Sequence, residues 1–191
     1  MNDLMEHTLE RVVDRLGSSY FGKYRGLVSD VADPENRCRI KATLPGLLDG
    51  EACGWAMPVL PFAGDGHGMV MLPAVGSGVW IEFEAGNLDL PLWSGCWFAD
   101  GQRPDPQGEK VRVIVSQNGH RIVLDDERDE VKIVHSGGAE VVLSGDGIAL
   151  SFQACKLEIG GSDISLNNGL IKVGLAGVSL VNGAMAFGVP P

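Results

Sequence analysis

Basic residues are in short supply: 15 Lys and Arg stand against 25 Asp and Glu, a formal net charge of −10 over 191 residues. A nucleic-acid backbone is held by clustered cations that release counterions, so no nucleic-acid partner is expected. Long apolar runs are lacking too, none approaching the roughly 20 residues that a membrane-spanning helix needs. The opening segment MNDLMEHTLERVVDRLG carries acidic residues in place of the basic and apolar regions of a secretory leader. No signal peptide is expected, so nothing exports this chain by the general route. Cys38, Cys53, Cys96 and Cys155 form no C-x-x-C pair, which excludes a metal knuckle or thioredoxin-like site. They read as small apolar packing residues in a reducing compartment.

The residue patterns of common chemistries are missing as well. The glycine-rich stretch AGDGHGMV, residues 63 to 70, has neither the phosphate-loop pattern nor the strand-to-helix setting of a dinucleotide site, and it reads as a mobile barrel loop. His67 within it has no Cys or second His at ligand spacing. The acidic cluster Asp125, Asp126, Glu127, Asp129 and Glu130 departs from the D-x-[DN]-x-[DN]-G order of a calcium loop and reads as a solvated turn. No pair of carboxylates sits on a helical lobe as glycoside hydrolysis requires. No catalytic residue, metal or cofactor is expected, and the chain does not read as an enzyme.

What the chain does have is glycine, 27 residues of it, beside 10 Pro, a composition that favours short strands and turns. One helix is expected, within residues 1 to 19: Met5, Leu9, Val12 and Leu16 recur at three- and four-residue steps, and Gly17 supplies a stop. A helix this short is marginal alone, so its stripe should dock on a neighbouring domain or subunit. Residues 20 to 100 change to strand pattern in five segments, YRGLVSDV, RCRIKATL, GEACGWAMPVL, GSGVWIEFEA and DLPLWSGCWF. Five short strands over this length predict an OB-fold barrel. Trp55, Trp80, Phe83, Trp93 and Trp97 lie in those strands, where core or interface packing is the expected fate. GQRPDPQGEK, residues 101 to 110, reads as the linker.

From residue 111 to 191 short strands follow one another with almost no connecting material. Apolar residues two apart share one face of a strand, and such pairs recur. Val141 and Leu143 are followed by Ile148 and Leu150, seven residues on; Leu157 and Ile159 come after a step of nine; Ile164 and Leu166, Ile171 and Val173, and Val178 and Leu180 return to seven. Self-similarity at a fixed period marks a fibre or solenoid rather than a compact domain. Glycines and β-branched residues in the intervals exclude a coiled coil of the same period. Ordering seven backbone residues costs roughly 7–14 kcal/mol, while burying two aliphatic side chains returns roughly 3–6. Neighbouring chains are therefore expected to supply strand-edge hydrogen bonds and apolar contacts around a shared axis. Those twelve residues are the expected core of the oligomer, with Glu158, Ser165, Lys172 and Ser179 between them facing solvent.

The stretches YRGLVSDVADPENRCRIKATLPG, GWAMPVLPFAGDGHG, LPAVGSGVWIEFEAGNLDLPLWSGCW and NGHRIVLDDERDEVKIVHSGGAEVVLSGDG, in that order and spacing, resemble the central spike of contractile injection machines, phage baseplate assembly protein V and the VgrG spike of type VI secretion. The resemblance implies an all-β chain, an OB-fold barrel followed by a triple-stranded β-helix formed by a homotrimer, that pierces the target cell envelope when the sheath contracts. It implies a baseplate hub protein at the barrel end and a location in a virion tail or tail-like particle. Some short spikes end in an H-x-H motif that binds iron at the apex. Here the histidines are His7, His67, His120 and His135, and the tail reads NGAMAFGVPP, so a separate PAAR-type tip protein is expected in place of a metal. The lysozyme-like domain of some spikes is missing. A second reading, an oligosaccharide- or nucleic-acid-binding barrel on a trimeric stalk, and a third, peptidoglycan hydrolysis, stay open on sequence alone.

Overall fold

A computed structural model describes residues 2–17, 19–175, 177–181 and 184–187. The chain divides between Gln102 and Arg103 into two units.

The first unit opens with helix α1 (Asn2–Gly17), whose stripe of Met5, Leu9 and Val12 is exposed in the single chain. The strands that follow are β1 (Tyr24–Asp30), β2 (Lys41–Thr43), β3 (Met57–Pro58), β4 (Ala63–Gly64), β5 (His67–Gly68), β6 (Gly78–Phe83) and β7 (Pro91–Trp97). Five of them form one sheet in the order β2-β1-β6-β7-β3, with β3 parallel to β7 and the other pairs antiparallel. Bridges from Ile40 to Ala56 and from Thr43 to Ala52 join the segment leading into β3 back to β2. The sheet thereby closes on itself in the strand order of an OB-fold, and closure removes its free edges.

Alternation along the strands selects the barrel core. Val79, Ile81 and Phe83 of β6 point inward with Val28, Ile40, Ala42, Leu44, Cys53, Ala56 and Trp93, each large aliphatic worth about 1.5–3 kcal/mol on burial. Gly78 is buried because the Trp97 indole lies over it: a Cβ there would stand 2.5 Å from the ring. The expected loop at residues 63 to 70 is a small hairpin, β4 paired with β5. Gly66, the second of the two link residues, takes the left-handed φ of +73° that favours glycine at this position of a tight turn.

The second unit is a single ten-stranded antiparallel meander in which each strand pairs with the next. Its strands are β8 (Val111–Val115), β9 (Arg121–Asp125), β10 (Glu130–Val134), β11 (Glu140–Ser144), β12 (Gly147–Phe152), β13 (Cys155–Ile159), β14 (Asp163–Leu166), β15 (Ile171–Gly174), β16 (Gly177–Leu180) and β17 (Met185–Phe187). Two points correct the sequence expectation. Strands β9 to β16 have both edges paired within their own chain, so their ladder hydrogen bonds need no neighbour. And β17 lies in the stretch read as a bare apolar tail; Met185 and Phe187 continue the seven-residue step from Val178 and Leu180. Among the described residues this unit buries one apolar side chain, Val123. It is a sheet without a core.

Candidate assembly surface

Directly opposed residues of an antiparallel pair project to the same face, so the register sorts the second unit's side chains. One column runs Ile114, Ile122, Ile133, Val141, Leu150, Leu157, Leu166, Ile171, Leu180, Met185. Beside it on the same face a second column runs Leu124, Val131, Leu143, Ile148, Ile159, Ile164, Val173, Val178. All twelve residues singled out by the seven-residue step fall in these two columns. The step places Val141 over Ile148, whereas the meander sets Val141 opposite Leu150 and Leu143 opposite Ile148, because successive strands run in opposite directions.

Ile114, Ile122, Leu124, Val131 and Ile133 extend the columns and were missed by the repeat. Their strands carry valines on the other face as well, as in Val113-Ile114-Val115 and Ile122-Val123-Leu124, and the turns between them are longer and break the step of seven, so neither alternation nor period marks them out. The two columns form an apolar face that is largely open to solvent, with Ile114 48% exposed at one end and Val173 45% near the other. Along the first column lies an apolar groove of about 680 Å³, bordered by Phe152, Cys155 and Leu170.

The reverse face is built differently. Lys132 pairs with Glu130 at 2.8 Å, Lys156 with Glu158 at 2.7 Å, and Lys172 with Asp163 at 2.7 Å. Glu158, Ser165 and Ser179 are half-buried there and Lys172 is exposed. Exposed ion pairs add little stability, at most about 1 kcal/mol each, but they suit a face that stays in water. Over β8 to β11 the reverse face also carries Val113, Val123 and Val142, with Val123 buried; from β12 onward it is polar or small, while the other, more exposed side is aliphatic. Contiguous apolar surface of this kind marks an interaction site.

In the barrel, one carboxylate organises the turn between β1 and β2. Asp33 accepts the amide hydrogens of Glu35, Arg37 and Arg39 at 3.1, 2.7 and 3.2 Å. The Arg39 fork donates to it as well, from Nε at 3.0 Å and Nη2 at 2.6 Å. Arg39 holds the Asp33 carboxyl well below the usual carboxylate range, with the three amides assisting. Other barrel cations are engaged too: Arg25 lies over the Trp80 and Trp97 rings at 5.5 and 5.3 Å, Lys41 over Trp55 at 4.9 Å, and Lys23 pairs with Glu82. Trp93 is the one fully inward indole, donating to the Cys38 carbonyl at 3.1 Å. Trp55, Trp80 and Trp97 are half-buried and covered by these cations, so the tryptophans divide between core and capped outer face. The cysteines divide as well: Cys53 is buried and burial raises its thiol pKa, while Cys96 and Cys155 are exposed. His67 sets Nδ1 3.0 Å from the Asp65 carbonyl. No group of metal-ligating side chains occurs among the described residues, and no helix among them is long and apolar enough to cross a membrane.

Residues 24–98 match the family model of the type VI secretion system/phage-baseplate injector OB domain. The matched segment runs from the first residue of β1 to just past the end of β7, so the likeness covers the barrel, and it supports kinship with baseplate and VgrG-like spikes. No curated protein matches the chain.

Proposed function

We propose that this protein is the structural central spike of a contractile tail or tail-like particle, assembled as a homotrimer, which pierces the target envelope on sheath contraction. The observation that carries the reading is a coreless sheet with one open aliphatic face, attached to a barrel that resembles the injector OB domain. Three copies with their apolar faces turned to a common axis bury that surface and leave the ion-paired faces in water, a triple-stranded β shaft. Because nearly all backbone groups are paired along it, such a shaft resists bending and axial load. The barrel end meets a baseplate hub protein and the far end a PAAR-type tip protein. The role is mechanical, without catalysis. A nucleic-acid-binding barrel is disfavoured, since Arg25, Arg39 and Lys23 already have partners within the chain.

Light scattering of the purified full chain tests the central step. Three chain masses, held on dilution into the nanomolar range, support it. A stable monomer would falsify the shaft.

A further inference from the structure

Asn118, Asn168 and Asn182 each precede a glycine. An Asn-Gly pair carries its own electrophile and nucleophile, the side-chain amide carbon of the asparagine and the backbone nitrogen of the glycine. Glycine puts no side chain in the way of their meeting. Whether they meet depends on what holds each of them. Asn182 lies outside the described residues, so the comparison is between the other two.

Asn118 and Gly119 link β8 to β9 in a turn that holds the glycine nitrogen. The Gly119 amide donates to the Ser116 carbonyl at 2.9 Å, and just beyond it the Ser116 hydroxyl accepts the His120 amide hydrogen at 3.1 Å. Asn168 and Gly169 link β14 to β15 differently. Both have left-handed backbone, φ +57° and +90°, and the Leu170 amide donates to the Asn167 carbonyl at 3.3 Å, which makes them the central residues of a type I′ turn. The closing bond of such a turn comes from the residue after the glycine. The Gly169 amide itself donates to no protein group among the described residues, and the Asn168 side chain is exposed with no hydrogen bond to them. Anchoring of this turn falls to its neighbour: Asn167 accepts the Lys156 amide hydrogen through Oδ1 at 2.8 Å and donates its own amide to the Lys156 carbonyl at 2.7 Å.

We propose that Asn168 is a site of spontaneous deamidation, in preference to Asn118. The Gly169 nitrogen, giving up its proton, attacks Cγ of Asn168. The new N–Cγ bond forms, the Cγ–Nδ2 bond breaks, and ammonia leaves with that proton. The product is a cyclic imide, which water opens at either carbonyl, giving aspartate or, when the main chain is left running through Cγ, isoaspartate. Each adds a negative charge, and isoaspartate also adds a methylene to the main chain within the turn. That turn sets Leu166 opposite Ile171, both in the first aliphatic column, so isoaspartate here alters the link that fixes their register. The chemistry is that of one chain and stands apart from how copies assemble.

The purified full chain is held at physiological pH and temperature, and peptides containing Asn118 and Asn168 are followed by mass spectrometry for conversion of amide to acid. Freedom from one hydrogen bond corresponds to Asn168 converting about two- to tenfold faster than Asn118. The same chain in concentrated guanidinium is the control: with both turns unfolded, the two sites are expected to convert at similar rates. Equal rates in the folded chain, or Asn118 leading, overturn the proposal. A lead of Asn168 that persists undiminished in guanidinium overturns it as well, since the preference then comes from the flanking residues and not from the turn.

Discussion

Replacing Ile164 by Asp sets a carboxylate in the middle of the aliphatic face while leaving the single chain nearly unchanged. Ile164 stands opposite Ile159 and Val173 and is 43% exposed, so in an isolated chain the new carboxylate reaches water and should cost less than about 1 kcal/mol. In an assembly the same position is covered. Covering the exposed part of one isoleucine is worth about 1 kcal/mol, and trapping an unpaired carboxylate there costs several more. Each copy contributes that loss, so the assembly constant should fall on the order of a thousandfold or more. Sedimentation at micromolar concentration would show monomers for Ile164→Asp, whereas Ser165→Asp, one residue on and directed to the reverse face, keeps the wild-type mass. If Ile164→Asp sediments like the wild type over the same dilution series, the apolar face is not where copies meet.

Asp33→Asn should lower the melting temperature of the barrel, because one amide oxygen cannot take the place of a carboxylate serving three amides and an arginine fork. Its pH signature has a definite sign: the folded carboxyl lies below its ordinary value, so its stabilisation is complete above about pH 4 and is lost as the pH falls further. The variant should lack that part of the acid limb in a Tm-against-pH series; an unchanged limb would show that Asp33 does not organise the turn. Gly147→Ala should destabilise the sheet by more than about 1 kcal/mol, since a Cβ there would stand 2.0 Å from the Ile159 carbonyl oxygen and φ is +137°. Gly161→Ala has nothing within 4 Å and should leave the single chain's hydrogen-exchange protection intact. Equal protection in the two glycine variants would count against the β12 to β13 register.

Much of this architecture was legible in the residues because local rules govern it. The stripe of Met5, Leu9 and Val12 marks a helix by its period, and the alternation in Gly78–Phe83 marks a half-buried strand by its own. Turn residues punctuate both units. The hairpin of β4 and β5 escaped notice because two-residue strands are too short to show alternation, and β17 because Ala186 separates only one apolar pair. The division of the tryptophans was not legible either: Trp93 and Trp97, four apart, would share one face of a regular strand, and the register shift of β7 against β6 between Val79 and Ile81 turns the first inward and lays the second over Gly78.

For the second unit, sequence by itself determined that the apolar residues share one face, because side chains alternate across any strand and the pairs are two apart. It also determined that this face exceeds what one thin ribbon can cover. Which residue stands beside which was decided by the tertiary structure. Reversing direction at every turn pairs Val141 with Leu150, satisfies the strand edges within one chain, and brings His120 against His135 across a separation that no local pattern spans. The physical reason is that periodicity encodes the direction of a side chain, whereas register and reversal arise only when hydrogen-bonded strands choose their neighbours.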